Sequence, residues 1–431
     1  SNYFPASIRL YRNDTLAMKL ISRNFILSQK SISSYEASST LYLGKDSIYH
    51  SNLGFSYNTN TREVSLFRTT SPLSRAPYFD SFHNLDLYFE HFAWDMDDPF
   101  ITLSRTRGSS IGAAKFESVS FFNEANFFKL MRLDDVHPLY RIRDYAKGYG
   151  SDVFPVEGFA KWMKMPVEQA ISLCIELANN GFLFYDRNFN EVIIKKKVDD
   201  YIASFAKKKD YDAIRINSEA RDKEENAILD LKTYDLSLAG VNMISLSDSQ
   251  KVSIIPYLGR LKVGKNRSMS FDGIVKAGLF TIYGKKFSFS YDTFYLHLEK
   301  IDSIRLAVET DEKDNFGRPI IKSIDNIMEL GTANLYIDDP KNKSGLKRLQ
   351  QYPIINSLTS SYIFYDNIPN LEGIYPRKEF YFRIDPFTYN NIDHYSNTDM
   401  ALEGEFVGGG ITEPMRQTLT VQPDTSLGFS M

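Results

Sequence analysis

From about Ser38 onward the chain is written in short apolar runs that alternate with polar residues, and each run soon stops at Gly, Asn or Asp. Alternation with a period of two buries one face of a strand, and the breaks supply turns. Stretches such as "STLYLGKDSIYH", "LGFSYNTNTREVSLFR" and "NLDLYFEHFAWDMDDPFITLSR" carry this signature, the second as a hairpin with Asn58 to Thr61 at its tip. After Asp210 the same rhythm returns about every ten residues. It predicts antiparallel β structure of a sandwich, barrel or solenoid type and argues against alternating βα units. The 32 Phe and 27 Tyr of this 431-residue chain favour pleated, half-buried surfaces as well. The first 35 residues are ambiguous, since "TLAMKLISRNFILS" suits helix or strand.

One segment breaks the pattern. "NEANFFKLMRL" predicts a short helix bearing Phe127, Leu130 and Met131, and His137-Pro138 opens a connector that ends near "AKGYGSD". "FPVEGFAKWMKMPVEQAISLCIELANNGFLFYDRNFNEVIIKKK" then runs from Phe154 to Lys197. Pro155 and Glu157 suit a helix start, with Phe159, Trp162 and Met163 as its apolar stripe. Pro166 and Glu168 start a second helix, in which Val167, Ala170, Ile171, Cys174, Leu177 and Ala178 follow the 3.6 period. Asn180-Gly181 stops it. "FLFY" and "EVIIK" make a hairpin around Asp186 to Asn190, and Val198, Tyr201, Ile202 and Phe205 mark a closing helix. The stretch from Phe154 to Lys197 resembles a winged-helix module.

The resemblance implies DNA binding only if the second helix can meet a duplex. Pro166 to Asn180 has no Arg or Lys, and Glu168 and Glu176 would repel phosphate. The basic runs Lys195–Lys197 and Lys207–Lys209 suit solvated faces, or at most a weak phosphate contact. The formal charge of −3 advertises neither nucleic acid nor an anionic membrane. Structural or protein-binding use is the expected role, and nucleic acid is not the expected partner.

An internal match is the most specific feature of the remainder. "SMSFDGIVKAGLF" (268–280) aligns with "DMALEGEFVGGGI" (399–411), setting Met269 on Met400, Phe271 on Leu402, Gly273 on Gly404 and Gly278 on Gly409. "SIIP" (253–256) answers "RIDP" (383–386), and "FSFSYD" (287–292) answers "LTVQPD" (419–424). Repeat copies at about 251–293 and 381–424 imply stacked or duplicated β units. The expected glycine role is close backbone approach.

The expected division is a β-rich region with a short helix at 1–147, a winged-helix-like module at 148–209 and a β-rich repeat region at 210–431. The expected fold class is mainly β, with repeat-containing solenoid or sandwich-like regions and a small winged-helix-like α/β insert. No run of about 18 apolar residues suggests a transmembrane helix. The opening "SNYFPASIRL" and the ending "SLGFSM" suggest a piece of a longer polypeptide.

No catalytic, cofactor or metal residue is assigned. His50, His83, His91, His137, His297 and His394 show no HExxH or paired Cys/His spacing. His83 and His91, with Asp86 and Glu90, are the densest cluster but alternate faces along a strand. "WDMDD" (94–98) and "DEKDNFGRP" (311–319) suit turns better than Ca²⁺ loops. Cys174, on an apolar stripe, is a core thiol. "VGGGI" (407–411) lacks the following helix that a phosphate loop needs.

The short strands and the Tyr/Phe/Asn/Ser usage resemble large repeat-built proteins of the bacterial cell envelope. The leading expectation is a non-enzymatic structural or binding component of that envelope, in the periplasm or on the outer surface. Its helical insert would dock a partner or cap the stack, with self-association as another outcome. A β groove carrying lipid or glycan is an alternative. A β-solenoid glycan-active enzyme, needing two carboxylates about 5–10 Å apart, is another, and nucleic-acid binding through 154–209 is the last.

Overall fold

The computed structural model describes residues 4–104, 113–131, 135–221, 224–324, 326–366, 374–394, 400–422 and 426–429. The chain is mainly β. It divides into two compact units, one of residues 1–242 with 258–267, the other of 243–257 with 268–431. All pairings between the strands named below are antiparallel.

The first unit opens with β1 (Ala6–Arg12), β2 (Thr15–Ser22), β3 (Ile26–Leu27), β4 (Ser31–Leu43) and β5 (Asp46–Asn58). The ambiguous N-terminal stretch is therefore strand. β1, β2, β4 and β5 pair in that order. β4 carries two register shifts, between Ser34 and Ala37 and between Ala37 and Ser39; such irregularities bend and twist a strand. β5 then forks. Its Ile48–Tyr49 half pairs with β7 (Tyr78–Asp80), and its Gly54–Tyr57 half pairs with β6 (Glu63–Phe67).

From the fork, β7 leads to β8 (Leu85–Tyr88) and on to β11 (Ala113–Ser118). β6 leads to β9 (His91–Asp95) and then to β10 (Phe100–Ser104). Alternation places Val64, Leu66, Phe92, Trp94, Ile101 and Leu103 in the core.

A helical insert follows β11. It comprises α1 (Glu124–Met131), α2 (Pro138–Tyr149), β12 (Val153–Pro155), α3 (Val156–Met163), α4 (Val167–Asn179), β13 (Leu183–Asp186), β14 (Glu191–Ile194) and α5 (Lys197–Phe205). Its three strands form a separate sheet in the order β12-β14-β13. The chain then returns to the β unit as β15 (Arg215–Glu219), paired with β11, and as β16 (Ala227–Asp230) and β17 (Leu236–Leu238), which extend the sheet from β10. Phe121 and Asp212, just outside the insert, are joined by an isolated bridge.

The second unit uses the same scheme. After β18 (Ile244–Ser247) and β19 (Val252–Pro256), the chain returns to the first unit as β20 (Leu261–Val263), beside β17. β21 (Met269–Ala277), β22 (Phe280–Ser290) and the long β23 (Tyr295–Lys313) then continue from β19. β24 (Pro319–Ser323) folds back on β23, and β23 forks. Its start pairs with β26 (Ala333–Tyr336), and Ile304 pairs with Met328 of β25 (Met328–Leu330).

One branch runs from β26 to β27 (Ile354–Ser357) and β30 (Thr388–Tyr389). The other runs from β25 to β28 (Ser361–Phe364), β29 (Phe380–Ile384), β31 (Ala401–Gly408), β32 (Met415–Val421) and β33 (Leu427–Gly428). This order matches β7-β8-β11 and β6-β9-β10-β16-β17-β20 of the first unit.

The expected division differs from the observed one in two places. Residue 210 is no boundary, because β15, β16 and β17 complete the sheets begun by β8, β11 and β10. The insert also begins before residue 148, because α1 and α2 share its core. His137 caps α2, its Nδ1 accepting from the Leu139 N–H, and Pro138 fills the first turn. Leu139, Ile142, Tyr145 and Ala146 form its buried stripe, so the connector expected there is a helix.

The aligned glycines occupy matching places. Gly273 lies between Pro256 and Gly284, and Gly404 between Ile384 and Gln417. A Cβ would fall 2.4 Å from the Ile255 carbonyl oxygen at Gly273 and 2.2 Å from that of Arg383 at Gly404. Phe271 pairs with Phe287, and Leu402 with Leu419, as aligned. The "SIIP"/"RIDP" alignment is two residues out of register, since Gly273 faces Pro256 whereas Gly404 faces Ile384, not Pro386. Asp399, Pro423 and Asp424 lie outside the described residues.

Candidate functional site

The insert is the departure from an otherwise β-built first unit, and its attachment is chemical as well as apolar. Its core gathers Phe127, Leu139, Ile142, Phe154, Phe159 and Cys174 with Leu73 and Ala76 from the β scaffold. Beside this core sits a buried ionic cluster. The Lys195 Nζ donates to Asp86 Oδ1 at 2.8 Å, and the Lys197 Nζ to Asp86 Oδ2 at 2.7 Å. Lys197 also lies 3.6 Å from Glu117, which takes a bond of 2.9 Å from the Arg215 Nε and one of 3.3 Å from Lys115.

Asp86 is fully buried, and the Lys195 and Lys197 side chains are only 9% and 5% exposed. Burial would raise the Asp86 pKa, but the two ammonium groups hold it below the usual carboxylate value. Burial likewise opposes ionisation of Glu117, and Lys197, Lys115 and Arg215 together lower its pKa. Lys197 has two carboxylates, whose attraction outweighs burial and raises its pKa. Lys195 has only Asp86, and there burial wins and lowers it. The solvated face expected of Lys195–Lys197 is therefore corrected for these two residues. They are spent on Asp86, and a phosphate contact through them is corrected with it. In the other basic run, Lys209 is ion-paired with Asp200.

Gly181, the expected stop of α4, completes the joint. Its φ of +77° favours glycine, and a Cβ there would lie 2.6 Å from Asp86 Oδ2. Pro155 and Pro166 occupy the caps of α3 and α4, one residue before the positions expected. Phe159 is buried as expected, whereas Trp162 is half exposed.

The outer side of α4 faces a groove of about 810 Å³ lined by Leu130, Arg141, Met165, Leu173, Ile175 and the polar Glu168, Gln169, Ser172 and Glu176. Ala170, Cys174, Leu177 and Ala178 face inward. Burial pushes the Cys174 thiol up to about 12, consistent with an inert core residue.

The histidines do not converge. His50 is buried, its Nδ1 accepting from the Asn52 N–H and its Nε2 lying 2.8 Å from the Ala76 carbonyl. Burial, then Arg68, pushes its pKa well down. His83 bonds Asp80 at 2.6 Å, and both are fully buried. His91 lies on the outer face of β9, with Nε2 2.8 Å from Ser65 Oγ. Asp86 belongs to the ionic cluster, and Glu90 lies 3.8 Å from Arg75. His297 pairs with Asn334, and His394 with Glu309. Asp95 to Pro99 turn the chain between β9 and β10, and Asp314 to Gly317 turn it between β23 and β24. Among the described residues no three His, Cys, Asp or Glu side chains are grouped to hold a metal.

No helix is long and apolar enough to cross a membrane among the described residues. Comparison with protein-family models, curated proteins and solved structures finds no match.

Proposed function

We propose that this chain is a non-catalytic binding component of a bacterial cell envelope, built on β units and carrying a helical insert that docks a protein partner along α4. The observation that carries the reading is the groove beside α4, lined by Leu130, Met165, Leu173 and Ile175 among polar groups. A rigid anchor supports it, because the Asp86–Lys197 cluster holds the insert to its sheet. From α2 to β14 the insert runs helix, strand, helix, helix, strand, strand, with its sheet ordered first, third, second. This is the order of a winged helix, and it supports that assignment.

A nucleic-acid role fits poorly. The groove side of α4 presents Glu168 and Glu176 with no cation from that helix, and phosphate contact needs Lys or Arg. The matching pairing schemes of the two units support duplicated β units as the scaffold; the aligned glycines both lie in the second unit and mark a separate likeness between β21 and β31. An extended, solenoid-like stack belongs to the proposal, and the insert would then dock or cap.

The test is fractionation of the full-length protein in its native cell, with a photo-crosslinking residue at Ser172. Recovery with the envelope, and one crosslinked protein that is lost in Leu173→Asp, is the expected result. Recovery in the cytosol, or a crosslink indifferent to Leu173→Asp, overturns the reading.

A further inference from the structure

The outer face of β6, β9 and β10 carries a trough. The register sets Ser65 opposite Ala93, and Ala93 opposite Thr102. These three small side chains form a floor that crosses the strands. Phe67 and His91 stand on one side, and Glu63, Asp95 and the 46%-exposed Phe100 on the other. Glu63 and Phe67 are four residues apart, so the two rims are separated by about 13 Å at 3.3 Å per residue. The open volume is about 680 Å³.

The charges in it are unfavourable as they stand. Glu63 and Asp95 are directly opposite each other, and like charges in that position destabilise a sheet. Neither carboxylate has a cationic partner among the described residues. Thr61 donates to Glu63, and the Asp97 N–H to Asp95.

The corresponding strands of the second unit, β25, β28 and β29 with β31, resolve the same problem differently. Their outward row pairs Glu329 with Tyr362, Tyr362 with Arg383 and Arg383 with Glu405, the last an ion pair of 2.8 Å. Glu329 is ion-paired with Arg377, and that guanidinium covers the Phe364 ring at 3.9 Å. Large side chains and opposite charges make up that row, beside a cavity of about 650 Å³ that Glu329 and Tyr362 help to line. In the first unit the corresponding row is of small side chains, and the charges at its rim are alike.

We propose that this trough binds a glycan chain, laid across β6, β9 and β10. Sugar hydroxyls would donate to Glu63 and Asp95, bonds strengthened by the acceptors' charge. Ser65, His91 and Thr102 supply further donors and acceptors from the floor and rim. Phe67 and Phe100 offer apolar surface to the C–H faces of the sugar rings, in keeping with sites that combine aromatic lining and a few placed polar groups. An extended peptide would seek a strand edge for its backbone hydrogen bonds, and this surface is a sheet face. The proposal does not depend on the docking role of the insert.

The test is calorimetric titration of the whole chain with soluble cello-, chito-, xylo-, malto- and manno-oligosaccharides, each taken to millimolar concentration. At least one series is expected to bind. Ala93→Trp, which blocks the floor, and Glu63→Lys, which replaces the like-charge pair with an attractive one, should each weaken that binding roughly tenfold or more. Arg383→Ala in the second unit should leave it unchanged. Glu63→Lys should also raise the unfolding temperature, which shows that its loss of binding is not misfolding. No binding by any series overturns the proposal. So does binding that Ala93→Trp and Glu63→Lys leave intact, or a trough that takes up a basic peptide or a divalent cation instead.

Discussion

Lys197 is the residue on which the joint of the insert turns. Its ammonium lies between Asp86 and Glu117, which are both buried. Lys197→Ala leaves Asp86 with Lys195 alone and Glu117 with its outer partners. Breaking a buried pair costs about 3–5 kcal/mol, so a loss of that order is expected in denaturant unfolding of the first unit.

The same residues fix the acid limb of stability. Asp86 and Glu117 have pKa values below their ordinary ones. Their contribution is complete above about pH 4, the unfolded value, and falls away as pH drops through the lower folded values. Lys197, shifted up, contributes below about pH 10 and loses that contribution as pH rises through its folded value. Lys195, shifted down, acts in the opposite sense. Unfolding followed between pH 7 and pH 2 should therefore show an acid loss that Asp86→Asn and Glu117→Gln each reduce. None of this was legible locally. Lys195 and Asp86 are 109 positions apart, and a Lys-rich run carries no mark of a distant carboxylate.

At the scale of elements, glycines carried more information than charges. Gly273 and Gly404 were singled out by alignment alone, and each passes under a neighbouring carbonyl in its three-strand group. Gly404→Ala forces a Cβ into the Arg383 backbone, and thermal unfolding should show the second unit destabilised by about 1–3 kcal/mol. Gly181→Ala carries two penalties, a left-handed backbone and contact with Asp86, and should cost the first unit a similar amount or more.

α3, α4, β13, β14 and α5 were legible because their apolar residues recur at clean periods. α2 is harder to read: Pro138, Leu139, Ile142 and Tyr145 carry the pattern, but His137-Pro138 and the glycines near 150 also suit the punctuation of a connector. A proline in the first turn and a glycine past the last are also the marks of a well-capped helix.

The whole molecule has a small net charge of −3 and no cationic side chain on α4. Titration with duplex DNA at low salt is expected to give no saturable binding, and a steep salt-dependent affinity would reverse that expectation. β content was legible from rhythm, because alternation needs no partner to be recognised. Unit boundaries were not, since β20 crosses back to β17 and β15 returns to β11 after the insert. Pairing across such separations is set by register, which a single strand does not display. Nor was the trough legible, because Ser65, Ala93 and Thr102 are unremarkable until the ladder sets them in line.

The isolated bridge between Phe121 and Asp212 brings the chain's exit from the β unit and its re-entry to one place. Such a gate lets a gene gain or lose about ninety residues in one event while the sheets around it keep their pairing. Whatever occupies that gate must bring its own counter-charges for Asp86, whose two cations both come from the insert, or Asp86 must change with it; Glu117 keeps Lys115 and Arg215 from the scaffold. Exchange of the cassette is thus coupled to a position well upstream of the graft. A chimera that swaps the insert and keeps Asp86 should fold worse than one that carries Asp86→Asn.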